Sequence, residues 1–197
     1  MRWDRFFEDL EDQLDSEWEA ERAALDTEAE RLRLARLTLQ ERVSALVAAA
    51  ADVTVDVIDG STLRGTPAAC GPDWVALDGT AAARGAVLIP FAAVASVALA
   101  QADLLLSARG STPGRIQERM TLGFVMRDLV RRRAPVTIRS LGGRELTGTV
   151  DRAASDHLDL ALHDRDAPRR RELVTGHRMV PLGSVASIRV EAAVPAL

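Results

Sequence analysis

Arginine is the residue type in this chain with the clearest potential for chemistry. All 25 basic residues are arginine, and three in a row occur twice, at Arg131–Arg133 and Arg169–Arg171. A guanidinium group binds phosphate through paired hydrogen bonds, and loops on a rigid fold commonly carry binding residues. The pattern predicts contacts to nucleic acid from these residues: Arg131, Arg132, Arg133, Arg169, Arg170, Arg171 and Arg178. The alternative is a solvated surface held by salt bridges.

The balance of charge changes sign along the chain. Asp and Glu outnumber Arg by 13 to 7 in residues 1–51 and by 5 to 2 in residues 52–100. Residues 101–197 instead carry 11 acidic residues and 16 arginines, within a chain whose net charge is −4. The C-terminal part is therefore the one that attracts polyanions.

Two further patterns resemble known ligand sites but lack a necessary residue. The segment 60–66 has the glycine spacing of a phosphate-binding loop, but it has no lysine to reach the phosphates. Asp164 and Asp166 begin like a calcium loop, but Pro168 and the arginines after it stand where further oxygen ligands are needed. The sequence predicts a hairpin at the first segment and no calcium site at the second.

No metal site or catalytic set can be read from the remaining polar residues. The three histidines are His157, His163 and His177, and none has the spacing to cysteines or carboxylates that a zinc site needs. No nucleophile stands in a recognisable pattern with a base. The sequence thus predicts a protein that is not an enzyme and has no cofactor.

Composition indicates an ordinary globular protein of one or two domains. Hydrophobic residues make up 47% of the 197 positions and charged residues 27%. The single cysteine, Cys70, excludes an internal disulfide and suits a reducing compartment. No apolar run approaches the roughly 18 residues that a membrane span needs, and the acidic N-terminus is not typical of a signal peptide. These features predict a cytoplasmic protein without a membrane partner.

An internal repeat organises most of the chain. Val53–Leu77 reads VTVDVIDGSTLRGTPAACGPDWVAL, and Val136–Leu160 reads VTIRSLGGRELTGTVDRAASDHLDL, at a constant offset of 83. The offset pairs six residues expected at turns and bends: Gly60, Gly65 and Asp73 with Gly143, Gly148 and Asp156. Later in each copy Pro90 aligns with Pro181, so the offset has grown to 91. The second copy therefore has eight extra residues within 164–178.

The elements that these residues require can be read from the apolar pattern. Residues 1–36 lack Gly and Pro and place apolar residues at heptad-like spacing, which predicts an acidic amphipathic or coiled-coil helix. Its partner could be a second copy of itself or the barrels that follow, and the pattern favours self-association or docking to a partner. Each repeat then reads as a short helix followed by five short strands with tight turns. That order is typical of a small β-barrel.

The repeat resembles the Sm-like fold of the Sm and LSm proteins and the bacterial RNA chaperone Hfq. The resemblance lies in a helix, a strand ending in Asp59-Gly60, a strand with Leu-x-Gly-Thr at 63–66, and a later strand after Asp73. It covers residues 37–99 and 120–191. It implies two barrels, RNA binding, and assembly edge to edge, in which three chains would complete a six-membered ring. The signature that lines the family's RNA pocket is absent from both copies. Other five-stranded SH3-like barrels share the pattern.

The predicted fold class is α+β and mainly β, with a long N-terminal helix and two tandem barrels, each a helix followed by five strands. The predicted domains are a helix at 1–36, a first barrel at 37–100, a linker at 101–119 and a second barrel at 120–197. Two functions follow: an RNA- or ribonucleoprotein-binding protein, or a structural adaptor that oligomerises through barrel edges and the N-terminal helix. A third, less supported hypothesis is DNA binding by a recognition helix at 121–133.

Overall fold

The computed structural model describes residues 3–78, 85–110, 119–165 and 170–190. Within the first helix, side chains are described at Gln13, Trp18 and Glu19 and from Glu21 onward. The chain divides into two compact units, Met1–Thr38 and Leu39–Leu197.

The first unit is helical. Helix α1 runs from Trp3 to Arg36, and its Ala-, Glu- and Arg-rich sequence contains good helix formers and no Gly or Pro. Glu30 and Arg33, one turn apart, form an ion pair at 2.7 Å on its surface. Three apolar residues spaced by seven, Trp18, Leu25 and Leu32, are exposed. Association of this helix with a partner stays a prediction.

The described part of the second unit contains three α-helices and ten strands. The helices are α2 (Leu39–Ala49), α3 (Gln101–Ser107) and α4 (Leu122–Arg132). The first five strands are β1 (Val53–Val57), β2 (Thr62–Cys70), β3 (Trp74–Asp78), β4 (Ala86–Pro90) and β5 (Val94–Ala98). The other five are β6 (Pro135–Ser140), β7 (Glu145–Ala153), β8 (His157–Leu162), β9 (Gly176–Pro181) and β10 (Val185–Val190). Helix α3 lies inside the segment predicted as a linker.

The strands form one open antiparallel sheet, so the prediction of two separate barrels is wrong. The order is β5-β1-β2-β3-β4-β10-β6-β7-β8-β9. The two halves join because β4 of the first pairs with β10 of the second, which satisfies backbone groups that a separate sheet would leave at its edge. The described chain is thus an α+β protein with four helices and a single ten-stranded sheet.

The sequence repeat is matched by a repeat of strand register. We call α2 with β1–β5 the first repeat, and α4 with β6–β10 the second. Val53 pairs with Gly65 in the first, as Val136 pairs with Gly148 in the second. A shift of register interrupts β2 between Pro67 and Ala69, and the same shift interrupts β7 at the equivalent place. Both repeats therefore have the same internal strand order.

Glycines allow the close contacts inside each repeat. Gly60 and Gly143 have φ of +83° and +75°, in the left-handed region that the tight turn requires. A Cβ added at Gly65 would lie 2.6 Å from the carbonyl oxygen of Asp78, and one at Gly148 would collide with the carbonyl of Ala161. Gly65 and Gly148 thus permit neighbouring strands to lie close together.

Each repeat has its own apolar core, and each core also includes side chains from the other repeat. The second repeat's core includes Trp74, Ala76 and Leu88 from β3 and β4. The first repeat's core includes Ala186 from β10. Alternate residues of a strand face opposite sides of the sheet, and on β3 and β4 the two sets face the two cores. Both strands are therefore buried on both faces, which explains their continuous apolar sequences.

Helix α3 is fastened to α2. The Arg42 guanidinium donates to the Ser107 hydroxyl at 2.8 Å and to the Leu104 carbonyl at 3.2 Å. This anchoring explains why part of the predicted linker is ordered as a helix. None of the helices among the described residues is long and apolar enough to cross a membrane.

Candidate assembly interface and arginine surface

The contact between the two repeats inside the chain has a backbone component. We call this contact the seam. Three residue pairs join its strands: Leu88 with Ile188, Val87 with Arg189, and Ala86 with Val190. The seam also covers Leu88 and Ala186, which are 4% and 0% exposed. It therefore combines a strand pairing with apolar burial, the combination by which sheets extend.

A salt bridge crosses the seam. Arg139 on β6 donates from Nε to Oδ2 of Asp59, which lies in the β1–β2 turn, at 2.6 Å. The Asp59 side chain has no exposed surface. Burial acts to raise the pKa of Asp59, but hydrogen bonds from the Ser61 hydroxyl and backbone and from Arg139 outweigh it. The pKa of Asp59 therefore lies below its ordinary value, and the carboxylate is ionised at neutral pH.

The first repeat also caps a helix of the second. Asp73 Oδ1 accepts a hydrogen bond from the backbone N–H of Leu122, the first residue of α4, at 2.8 Å. Beside it, Trp74 donates from its indole N–H to the carbonyl of Met120 at 2.7 Å. The first N–H groups of a helix lack partners within the helix, and a carboxylate there also favours the helix dipole. Asp73 and Trp74 thus fix the start of α4 against the first repeat.

At one end of the sheet, β5 has an open edge. It is the equivalent of β10, which pairs within the seam, and Ala95 and Ser96 of β5 align with Ala186 and Ser187. Ala186 is fully buried, whereas Ala95 is exposed. The β5 edge thus has the sequence of a seam strand without a neighbour among the described residues.

At the other end, β9 has an open edge and is the equivalent of β4. Met179 of β9 aligns with Leu88 of β4, yet Met179 is 71% exposed and Leu88 only 4%. The residues before it, His177 and Arg178, are also exposed, whereas Val87 is buried. The β9 edge therefore presents one large apolar side chain among polar ones.

Sequence reasoning missed the seam, although a signal for it exists. The repeat shows which strands pair within each copy, because turns and registers recur, but strand pairing between copies leaves no local pattern. The available signal is the difference between equivalent strands: β4 reads AVLIP, whereas β9 reads GHRMVP. A continuous apolar strand is typical of burial on both faces.

The first predicted arginine cluster lies at the end of α4. Arg132 forms an ion pair with Asp128 at 2.6 Å, and Arg131 approaches the same carboxylate at 3.4 Å. Arg133 follows the helix with φ of +51°. All three arginines are exposed, and cations are favourable at a helix C-terminus. Local structure thus explains much of this cluster.

The second predicted cluster lies before β9. Arg170 and Arg171 are exposed, with Arg171 opening a short 3₁₀ turn, Arg171–Leu173. Arg178, exposed on β9, donates to the neighbouring carbonyl of His177. Arg169 lies outside the described residues. These side chains follow one another near the open β9 edge, on elements different from those that hold Arg131–Arg133.

Asp156, one of the predicted turn residues, and His163 both form local hydrogen bonds. Asp156, equivalent to Asp73, accepts from His157 Nδ1 at 2.7 Å, and its side chain is 84% exposed. The hydrogen bond and the charge of His157 hold the pKa of Asp156 below its ordinary value. His163 is buried between the Thr149 hydroxyl and the Asp164 carbonyl, each 2.9 Å from a ring nitrogen.

No grouping of three or more histidine, cysteine or carboxylate side chains suited to a metal ion occurs in the described parts of the chain. Comparison with known proteins finds no protein-family model that matches this sequence and no curated protein with significant similarity to it. The seam, the open edges and the exposed arginines are therefore the features that indicate a function.

Proposed function

We propose that this chain is a non-enzymatic structural module that assembles with further copies of itself, the β9 edge of one copy pairing with the β5 edge of the next. The observation that carries the proposal is the seam. It joins β4 to β10, and the two open edges are the equivalents of those two strands. A second seam between chains would repeat an interaction already present within each chain. The pairing is head to tail, so it generates a ring or a filament.

The seam specifies the register expected between chains. Leu88 and Val87 pair with Ile188 and Arg189 inside the chain. Applying the same offsets places Met179 of one copy opposite Val97 of the next, and Arg178 opposite Ala98. Met179, the most exposed large apolar side chain in the described second unit, would then be covered as Leu88 is.

Charge supports a pairing between unlike repeats. Residues 52–100, which contain the β5 edge, carry 5 acidic residues and 2 arginines. Residues 101–197, which contain the β9 edge, carry 11 and 16. Like repeats would repel each other, whereas a head-to-tail arrangement brings opposite charges together.

Two substitutions test this arrangement, each blocking one edge. Ala95→Arg places a long cation on the β5 edge, and Met179→Lys places a charge on the β9 edge opposite Asp159, where the fold tolerates it. We expect the mass of the wild-type chain, measured by sedimentation equilibrium, to rise with concentration, and each variant to remain smaller. A mixture of the two variants retains one intact β5 edge and one intact β9 edge, so it should form a one-to-one dimer.

The control for added charge is Ala48→Arg, because the equivalent position in the second repeat already holds Arg131. That variant should assemble as the wild type does. A wild-type chain that stays monomeric at high concentration contradicts the proposal. So does a wild-type assembly that neither edge variant alters, since α1 would then be the element that associates.

Binding of RNA is a second candidate, supported by the exposed Arg170, Arg171 and Arg178 near the β9 edge. The resemblance to the Sm-like family supports it through the repeated order of a helix followed by five strands. Polyanion binding by these arginines would weaken with salt. On a single strand, log K falls by about 0.7 per phosphate neutralised for each tenfold rise in salt concentration.

The RNA candidate is tested by titrating nucleic-acid-free protein against labelled single-stranded RNA at low and high salt. Alanine at Arg169–Arg171 should weaken binding and flatten the salt dependence. A control with the same loss of charge replaces Arg22, Arg31 and Arg36, which lie exposed on α1. Equal effects of the two triple variants would indicate bulk charge alone, and absent binding would remove the candidate.

A further inference from the structure

The seam contains a helix cap formed by two residues. The equivalent of each residue lies in the repeat that carries one open edge of the sheet. Inside the chain, Asp73 accepts from the N–H of Leu122 at the start of α4. At the offset of 83, Asp73 corresponds to Asp156 and Leu122 to Leu39, the first residue of α2. Asp156 lies beside the β9 edge, and Leu39 belongs to the repeat with the β5 edge. Both ends of the hydrogen bond are therefore present, but on opposite sides of one chain.

Burial shows that Leu39 and Leu122 differ in what covers them. Leu122 is 3% exposed, whereas Leu39 is 43% exposed although both begin an 11-residue helix. Leu122 belongs to the same apolar cluster as Trp74 and Leu88, which the first repeat contributes across the seam. Leu39, at the start of α2, is also a leucine but is not covered in that way.

The backbone of Asp156 is held in the same way as that of Asp73. In the first repeat the Asp73 carbonyl accepts from Phe91 N at 2.8 Å, and in the second the Asp156 carbonyl accepts from Leu182 N at 2.7 Å. The side chains differ in their surroundings: Asp73 contacts a helix, whereas Asp156 is 84% exposed and is bonded by His157. His157 stands where Trp74 does in the first repeat.

We propose that Asp156 of one copy caps helix α2 of a second copy by accepting a hydrogen bond from the N–H of Leu39. This inference rests on the proposed head-to-tail assembly and assigns an interaction to two residues beyond the paired strands. Met179 of β9 would cover the exposed Leu39 side chain, because its equivalent Leu88 shares an apolar cluster with Leu122. The partner is thus a second copy of this chain, recognised by a carboxylate and an apolar contact together.

The test uses the full-length edge-blocked variants, which form a dimer of defined polarity. Asp156→Ala is added to one of the two edge-blocked variants at a time. The Ala95→Arg variant contributes its β9 edge to the dimer, and the Met179→Lys variant contributes its β5 edge. Removing the cap in the first combination should weaken the dimer about five- to tenfold, the usual worth of a helix cap. The same change in the second combination should leave the dissociation constant unaltered. Glu172→Ala, another exposed carboxylate, is the control in both.

The donor is tested separately at Leu39. Leu39→Pro removes the N–H at a helix position that accepts proline, and Leu39→Ala removes the side chain but keeps the N–H. The proline variant should weaken the dimer more than the alanine variant when each is placed on the copy that contributes β5, with circular dichroism confirming an unchanged fold. A dimer that forms but is indifferent to Asp156→Ala on the β9 copy overturns this inference alone. Failure of the two edge-blocked variants to dimerise overturns the assembly itself.

Discussion

Arg139 and Asp59 are 80 residues apart in the chain and form a 2.6 Å ion pair across the seam. Asp59 is part of the Asp-Gly turn of the first repeat, and Arg139 is a residue of β6 in the second. The equivalents of the two are Gly142 and Asp56, so the pair has no counterpart with the same charges. It therefore distinguishes the seam within the chain from any contact made between copies.

Asp59→Ala should destabilise the second unit by about 2 kcal/mol, because it removes charged hydrogen bonds from a shielded site. The measurement is urea unfolding followed by circular dichroism at low protein concentration. Asp56→Ala is the matched control, since that carboxylate accepts from the uncharged hydroxyls of Ser96 and Thr62. The control should have the smaller effect, and equal losses would contradict a special role for Asp59.

The contribution of Asp59 should also depend on pH. Its pKa in the folded protein is below the ordinary value of about 3.9, so its stabilisation is fully present above that value. The contribution is lost as pH falls through the lowered pKa of the folded state. The difference in unfolding free energy between wild type and Asp59→Ala should hence be constant from pH 5 to 7 and shrink in stronger acid. A difference that grows on acidification would contradict the assignment.

Sequence reasoning could find the repeat, the turns and the strands, because each of these depends on local residue types. Gly60 and Gly143 mark their turns through backbone conformation, and the offset of 83 reproduces the strand registers. It did not find the single sheet, because the pairing of Leu88 with Ile188 joins strands that are distant in the chain. A repeat is compatible with two closed barrels or one shared sheet, and the choice depends on where edge strands find partners.

The predicted site residues likewise divide into those that local sequence explains and those that depend on long-range contacts. The turn residues are explained by the backbone, whereas the arginines identify only a charge and no geometry. The pattern predicts a strand after Asp73, but the hydrogen bond of Asp73 to Leu122 cannot be read from a single repeat. Contacts of this kind depend on tertiary packing, to which spacing along the chain gives no access.

Leu88 and Met179 occupy equivalent positions but should respond differently to truncation. Leu88→Ala leaves a cavity beside the second repeat's core and should cost about 2–4 kcal/mol of unfolding free energy. Met179→Ala on the open edge should change the free energy by less than about 0.5 kcal/mol at concentrations where the chain is monomeric. Similar losses at both positions in dilute protein would indicate that β9 is covered within the chain.

Gly148 and Gly143 separate two roles of glycine. Gly148→Ala directs a Cβ into the Ala161 carbonyl on the neighbouring strand, so the strands must move apart, at a cost of roughly 2–3 kcal/mol. Gly143→Ala meets no neighbouring atom, and its cost is the left-handed backbone, roughly 1 kcal/mol. The comparison is made by thermal and urea unfolding. The reverse order of stability would show that turn conformation limits the fold more than strand approach.

Cys70 provides a probe of whether the two repeats unfold together. Its thiol is buried in the first repeat's core, 3.1 Å from the Ser44 hydroxyl. That core contains Ala186 of the second repeat, and the second core contains Trp74, Ala76 and Leu88 of the first. Opening either core therefore exposes apolar surface of the other, so both should melt in one transition. We expect Cys70 to react with a thiol reagent only over the urea range in which circular dichroism shows loss of the sheet. Reaction at lower urea, with the β-sheet signal partly retained, would show that the first repeat opens independently and that the seam does not couple the cores.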